Sequence, residues 1–325
     1  MAPAAEDKYM YLAIYIITIV TGFPANLLAL HALIRKLRIK ATPNAILLFN
    51  LTISDLSFLA FLPFKVTEVL QGRWSMPSFL CPLSGLFYFS TIYSSTLFLT
   101  AVSVERYLGV AFPLKYKLYR KPSYAVAISG FLWVCSFAHC SIVYITEYQQ
   151  VSNVSSNKFI CYDNFTEKQL EVLLPFRLEL GLLLFCLPFL ITCFCYGSFI
   201  RILVSSPHIH KDKKQRAIGL VLTTLCVFAI CFAPYNVSHL IGFVLKRNLE
   251  WREKALLLST FNASLDPVIF YFSSNAVQHS CRCCLKKLNF CHPSPGLHRM
   301  MDRQSIKLSQ PHISDSQIYS SKYGP

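Results

Sequence analysis

Charge is scarce in this chain, and acid is scarcer than base. Charged residues make up 14% of the 325 residues, with 16 Asp and Glu against 31 Lys and Arg, while 54% are hydrophobic. So few charges beside so much apolar surface do not make a water-exposed exterior, which excludes an ordinary soluble domain. Catalytic signatures are also missing: the chain shows no nucleophile with an adjacent base, no metal-ligand spacing and no phosphate loop, so no enzyme is expected. Residues 255–274 contain no lysine that would anchor retinal, which argues against light-driven pumping. No cleavable signal peptide is expected either, since Glu6 and Asp7 precede an apolar stretch too long for one.

What the chain has in abundance is long apolar runs. Seven of them fall at roughly 10–33, 44–70, 79–112, 122–146, 172–204, 215–245 and 254–274. Each is long enough to carry a helix across about 30 Å of hydrocarbon, which takes about 20 residues. The fold class predicted is therefore an all-α membrane protein, a seven-helix transmembrane bundle spanning 10–274. Residues 1–9 form a short N-terminus, 275–291 a juxtamembrane amphipathic helix, and 292–325 a polar, disordered tail. Base gathers in the first, third and fifth connections, at Arg35, Lys36, Arg38 and Lys40, at Lys115, Lys117, Arg120 and Lys121, and at Arg201, Lys211, Lys213, Lys214 and Arg216. Lysine and arginine stay on the cytoplasmic side, so the N-terminus is expected outside and the C-terminus inside, as in a multi-pass plasma-membrane protein. The net charge of +15 is spread through these loops and the tail. It reads as topology and attraction to anionic lipid, not as a nucleic-acid face.

The 13 cysteines sort by compartment. Seven lie within spans as small apolar residues. Cys81, at the outer start of the third span, and Cys161, in the outer loop after the fourth, share an oxidising compartment and are expected to be bridged. Cys281, Cys283 and Cys284 follow the last span beside Arg282, Lys286 and Lys287; they are palmitoylation candidates or plain thiols. Five Asn-x-Ser/Thr triplets occur, of which only Asn153 and Asn164 sit in an outer loop where sugar can be added. Serines between Ser305 and Ser321 are available to accept phosphate.

Ionisable groups inside hydrocarbon cost a few kcal/mol, so they turn inward and mark function. Asp55, Asn26, Ser95, Asn262 and Asp266 are such groups. They serve to hold a small cation such as sodium, to form a structural hydrogen-bond network, or to relay protons. With "GFPANLL" around Asn26, "LTISD" ending at Asp55, "SVERYLGVAFP" around Arg106, Trp133, "CFAPYN" around Pro234 and "NASLDPVIFYF" around Pro267, the chain resembles the rhodopsin-like G-protein-coupled receptors. "FPANLLAL", "ERYLGVAFP", "LPFRLEL" and "APYNVSHL" resemble the free fatty acid receptors among them, most nearly those for short-chain acids. The resemblance implies that Glu105 restrains Arg106 at rest, that Tyr196 supports Arg106 in the active state, and that kinks at Pro188, Pro234 and Pro267 let the helix ends swing toward a heterotrimeric G protein. It implies arrestin as a partner of a phosphorylated tail. Phe270 stands where the family has tyrosine, which puts the contact to Tyr196 in doubt.

The run "LPFRLELGLLLFCLPFL" carries Arg177 and Glu179, about 200° apart on a helix and so unable to pair with each other. Arg177 continues onto Gly181, Leu184 and Pro188. Near the same outer end lie Tyr235 and His239, Arg252 at the start of the seventh helix, and Tyr93 as a floor. Two guanidiniums, an imidazole and two phenols make a hollow for an anion, and arginine grips a carboxylate with both ends of its fork. In the family these positions match the carboxylate-binding trio Arg177, His239 and Arg252, with Tyr93 and Tyr235 around it. Taken singly each has a plainer use: Arg177, about five residues into its helix, snorkelling to headgroups, His239 packing, and Arg252 pairing with Glu253. Glu179 is expected to face helix four or six, and Lys65 to pair with Glu68. The resulting expectation is a receptor for short-chain fatty acids. Longer fatty acids, another carboxylate metabolite or a small-carboxylate transporter are the alternatives, and the odd span number and unrepeated halves speak against the last.

Overall fold

In the computed structural model, residues 5–119, 121–153, 160–162, 165–206, 211–274 and 277–281 are described, without side chains at 5, 6, 119, 148–153 and 213. Seven helical spans of 22 to 39 residues are long and apolar enough to cross a membrane. No strand occurs among the described residues. The first four spans are α1 (Ala5–Ile39), α2 (Pro43–Gln71), α3 (Leu80–Ala111) and α5 (Pro122–Asn153), with the short α4 (Pro113–Tyr119) after α3. The third span is the axis of the bundle. Of its 32 residues 18 are buried, more than in any other span, whereas few residues of the first and fourth spans are buried. Its small buried residues Ser84, Gly85, Ser90, Ser94 and Ser95 let neighbouring backbones come close, as membrane helix packing requires.

Helix ends follow local chemistry. Thr42 starts α2 by accepting the Ala45 N–H at 3.3 Å just ahead of Pro43, and Gly72 ends it in the left-handed conformation with its N–H on the Glu68 carbonyl. The fifth helix begins at Glu167, five residues earlier than its hydrophobic run indicates. Thr166 and Gln169 form a reciprocal capping box there, so polar residues extend the helix beyond its apolar core.

Prolines shape the fifth to seventh spans. The fifth runs as α6 (Glu167–Gly181), a π-helical turn Leu182–Cys186 and α7 (Leu187–Ser205); the sixth as α8 (Lys211–Cys226), a π-helical segment Val227–Phe232 and α9 (Ala233–Leu245). Each π segment ends two residues before a proline, Pro188 or Pro234. A proline has no N–H for the carbonyl four residues back, and the preceding turn widens. The seventh span is broken into α10 (Arg252–Ser259) and α11 (Asn262–Ser273). Pro267 cannot bond the Ala263 carbonyl, which instead accepts the Asn26 Nδ2–H at 2.7 Å. That bond ties α1 to α11.

Candidate functional site

At the disulfide end of the bundle, α3, α5, α6, α9 and α10 enclose a cavity with about 20 Å³ for the centres of water-sized molecules. The structure brings all five predicted ligand residues to its wall: Tyr93, Arg177, Tyr235, His239 and Arg252. All five are buried. Because α6 starts at Glu167, Arg177 lies about ten residues into the helix, not five, and is held inside. Its Nη1 donates to Asn248 Oδ1 at 3.1 Å and its guanidinium lies 5.2 Å from the centre of the Phe165 ring. His239 is 2% exposed, neither ring nitrogen has a hydrogen-bond partner, and its ring meets Tyr235 edge-on at 4.4 Å. The Arg252 Nε is likewise without a partner. Gly181, on the Arg177 face, packs against Asn236 and the His239 Cβ. Among the described residues, no aspartate or glutamate lines this cavity.

Several residues in the wall or bonded to it carried no sequence signal. Asn236, in a triplet that resembles a glycosylation motif, accepts a 3.4 Å bond from the Tyr93 hydroxyl at Oδ1. Asn248 belongs to the connection before α10. Phe89 stacks on Tyr235 at 6.2 Å and meets Tyr162 edge-on at 5.6 Å. Tyr162 follows Cys161, which is bonded to Cys81 across 80 residues of sequence as expected. The disulfide anchors this loop over the bundle. Glu68 accepts the Cys161 N–H at 2.7 Å and pairs with Lys65 at 2.8 Å; Glu147 accepts the Tyr162 N–H at 3.0 Å. Cys81, Cys161 and Glu147 cluster tightly, but both sulfurs are committed to the disulfide, so they do not make a metal site. Burial, then the Glu147 carboxylate, push the Tyr162 phenol well above its ordinary pKa; it stays a neutral donor to the Pro82 carbonyl at 3.0 Å.

A second polar group lies deeper. Asp55, Ser95 and Asn262 line a small cavity with about 10 Å³ of such space. Both Asp55 oxygens are buried without a hydrogen-bond partner, and the Asn262 amide donates to both Asp266 oxygens at 3.1 and 3.2 Å. Ser54 joins Ser95 at 3.3 Å. Asn26, grouped with these from sequence, bonds the Gly22 and Ala263 carbonyls, so it acts as a helix tie. Glu179 faces the fourth span, 3.3 Å from His139.

At the opposite end Glu105 bonds α4 and Arg106 bonds α11. Tyr116 donates to Glu105, while Arg106 Nη2 donates to the Ser273 carbonyl at 2.5 Å and hydroxyl at 2.7 Å. Tyr196 lies 3.3 Å from the Thr224 hydroxyl in a cluster with Phe199, Leu203 and Val221. Phe270 is fully buried, so its ring serves the core. Pro234 begins α9 and Pro267 lies inside α11. Cys281 is partly buried. Asn164, Cys283, Cys284, the Asn153 side chain, most of 275–291 and the tail 292–325 lie outside the described residues.

Comparison with known proteins agrees with this architecture. The family model for the 7 transmembrane receptor (rhodopsin family) matches residues 25–270. Free fatty acid receptor 2 of Rattus norvegicus is 47% identical over 277 residues, covering 83% of this chain and 83% of the relative. Free fatty acid receptor 2 of Homo sapiens is 46% identical over 284 residues, with 86% of each chain covered. Free fatty acid receptor 3 of Mus musculus is 44% identical over 274 residues, 84% and 85% respectively. A seven-helix membrane bundle with a disulfide-anchored loop over a cationic cavity, matched along its length by these relatives, is a receptor and not an enzyme: the chain belongs to the rhodopsin family of seven-transmembrane receptors and, within it, to the free fatty acid receptors.

Proposed function

We propose that this receptor is activated by short-chain carboxylic acids reaching it from outside the cell, and that it signals through a heterotrimeric G protein on the cytoplasmic side. The observation that carries the reading is the lining of the cavity. Arg177, Arg252 and His239 converge in a buried space to which, among the described residues, no carboxylate of the chain's own belongs. A bound acid supplies the missing anion: its two oxygens take charge-assisted bonds from the guanidiniums, and the His239 ring nitrogens complete the set. The free space is that of about one water, so the wall opens to admit an acid, and an acid of few carbons asks for the least opening. Each methylene adds only about 0.8 kcal/mol, so the charged clamp provides most of the affinity. The names of the relatives, receptors for free fatty acids, support the same ligand class.

The loop charges orient the disulfide end outward and Arg106 inward. Arg106, held on Ser273 in this closed arrangement, is the element a G-protein helix meets when the spans at that end separate. Asp55 and Asp266, with Ser95 and Asn262, suit a sodium ion: both Asp55 oxygens are buried without hydrogen-bond partners, and an all-oxygen donor set fits a hard cation. Acylation at Cys281, Cys283 or Cys284 and arrestin binding to phosphorylated tail serines complete the reading.

The test is nucleotide exchange on purified G protein by the receptor in lipid discs, with unbranched acids from acetate to octanoate. Propionate stimulates exchange by the wild type, while Arg177→Ala and Arg252→Ala each lower potency by about 100-fold or more at unchanged folded yield. Uptake of the acids into receptor vesicles without any exchange would establish a carrier instead.

A further inference from the structure

The anion cavity has a larger neighbour. Between α1, α2, α3 and α10 lies a second space of about 120 Å³, lined by Tyr11, Tyr15, Lys65 and Tyr88 among others. Phe89, Tyr162 and Arg252 line both spaces. The two therefore meet at one wall, and the guanidinium that anchors the acid belongs to that wall. Beside Arg252, that shared wall is made of the Tyr162 and Phe89 rings.

The Tyr162 ring is held from every side. A Cβ placed on Gly85 would fall 1.9 to 2.0 Å from three of its atoms, so the ring lies flat on bare α3 backbone where any other residue would displace it. Its hydroxyl bonds the Pro82 carbonyl, its N–H bonds Glu147, Phe89 meets it edge-on, and the Lys65 ammonium lies 5.8 Å from its centre. Its backbone φ of 66° is left-handed, a conformation that residues with side chains rarely adopt and that persists where the surroundings over-determine it. A tyrosine needed only as loop filler has no reason to be seated this way.

We infer that Tyr162, seated on Gly85, is the partition that sets the length of acid the receptor accepts: it keeps an acid anchored at Arg252 from extending its chain into the larger space. Tyr162 is the specificity-determining residue and Gly85 a positioning residue that acts through it. The inference rests on the carboxylate reading above, and it states what limits that site.

The experiment compares wild type, Tyr162→Ala, Gly85→Ala and the double variant in the exchange assay, with acids from acetate to octanoate and folded receptor quantified for each. Removing the ring joins the two spaces, so the potency of hexanoate relative to propionate rises on the order of tenfold in Tyr162→Ala. Gly85→Ala, which expels the ring without removing it, shifts the order in the same direction. Because Gly85 acts only through the ring, the double variant matches Tyr162→Ala and does not exceed it. Should Tyr162→Ala fail to fold, Gly85→Ala alone decides. Unchanged chain-length order in folded variants, or a double variant whose effects simply add, overturns the inference. A folded wild type that responds to no acid overturns the carboxylate reading itself, and the two failures are told apart by that first arm.

Discussion

Arg177 stands about 15 Å along α6 from its first residue, and its buried guanidinium turns to Asn248, Phe165 and the cavity. Hydrophobicity alone understates this depth, because the apolar run begins after the capping box of Thr166 and Gln169. The charged and aromatic residues of the clamp were legible in the sequence, since arginine or histidine inside a span has few plain uses. Asn236, Asn248, Phe89 and Tyr162 were not legible, because an asparagine in a loop or a phenylalanine in an apolar run is ordinary until folding places it. Asp55 belongs to the same scale. If it holds sodium, replacing sodium by choline at constant ionic strength raises propionate potency in the wild type, as removal of a ligand that favours the closed state must. Asp55→Asn then responds equally in both salts; a salt effect of undiminished size in that variant removes the ion from the account.

At the scale of helices, the two arginines reach one cavity because α6 and α10 flank α9 at the disulfide end. The prolines were visible, but not what they do. Pro188 and Pro234 follow π-helical segments, and Pro267 frees a carbonyl that Asn26 takes up, consequences that depend on neighbours far away in sequence. The opposite end is closed by α3, α8 and α11. Gly219 in α8 lies so near Phe272 that a Cβ would sit 2.7 Å from its ring, and Arg106 bonds Ser273. Sequence pointed to Glu105 as the restraint because it is adjacent, whereas the helix turns Arg106 toward α11. Ser273→Ala removes one of the two bonds, a change of about 1 kcal/mol, and raises acid-independent exchange about fivefold. Basal exchange equal to that of the wild type would show that this contact does not restrain the receptor.

Across the whole molecule, the disulfide-end cavity and the Arg106 end are joined by α3, which carries Tyr93 near its middle and Arg106 toward its far end and is buried over most of its length. Such a helix is a rigid reference against which the fifth and sixth spans, each interrupted by a π turn and a proline, can shift. Seven spans and their order were readable from composition and periodicity, because lipid forces every backbone group into a helix. The closeness of the two guanidiniums was not, since it depends on how separate spans lean together. The claim on which everything else stands is that both of them grip one carboxylate. Solid-state magnetic resonance on isotope-labelled receptor in lipid discs measures this directly, through dipolar dephasing between the carboxylate carbon of labelled propionate and arginine guanidinium nitrogens. The account predicts separations of about 4 Å, with dephasing that weakens in each of Arg177→Ala and Arg252→Ala. Bound propionate with no nearby guanidinium nitrogen would contradict it.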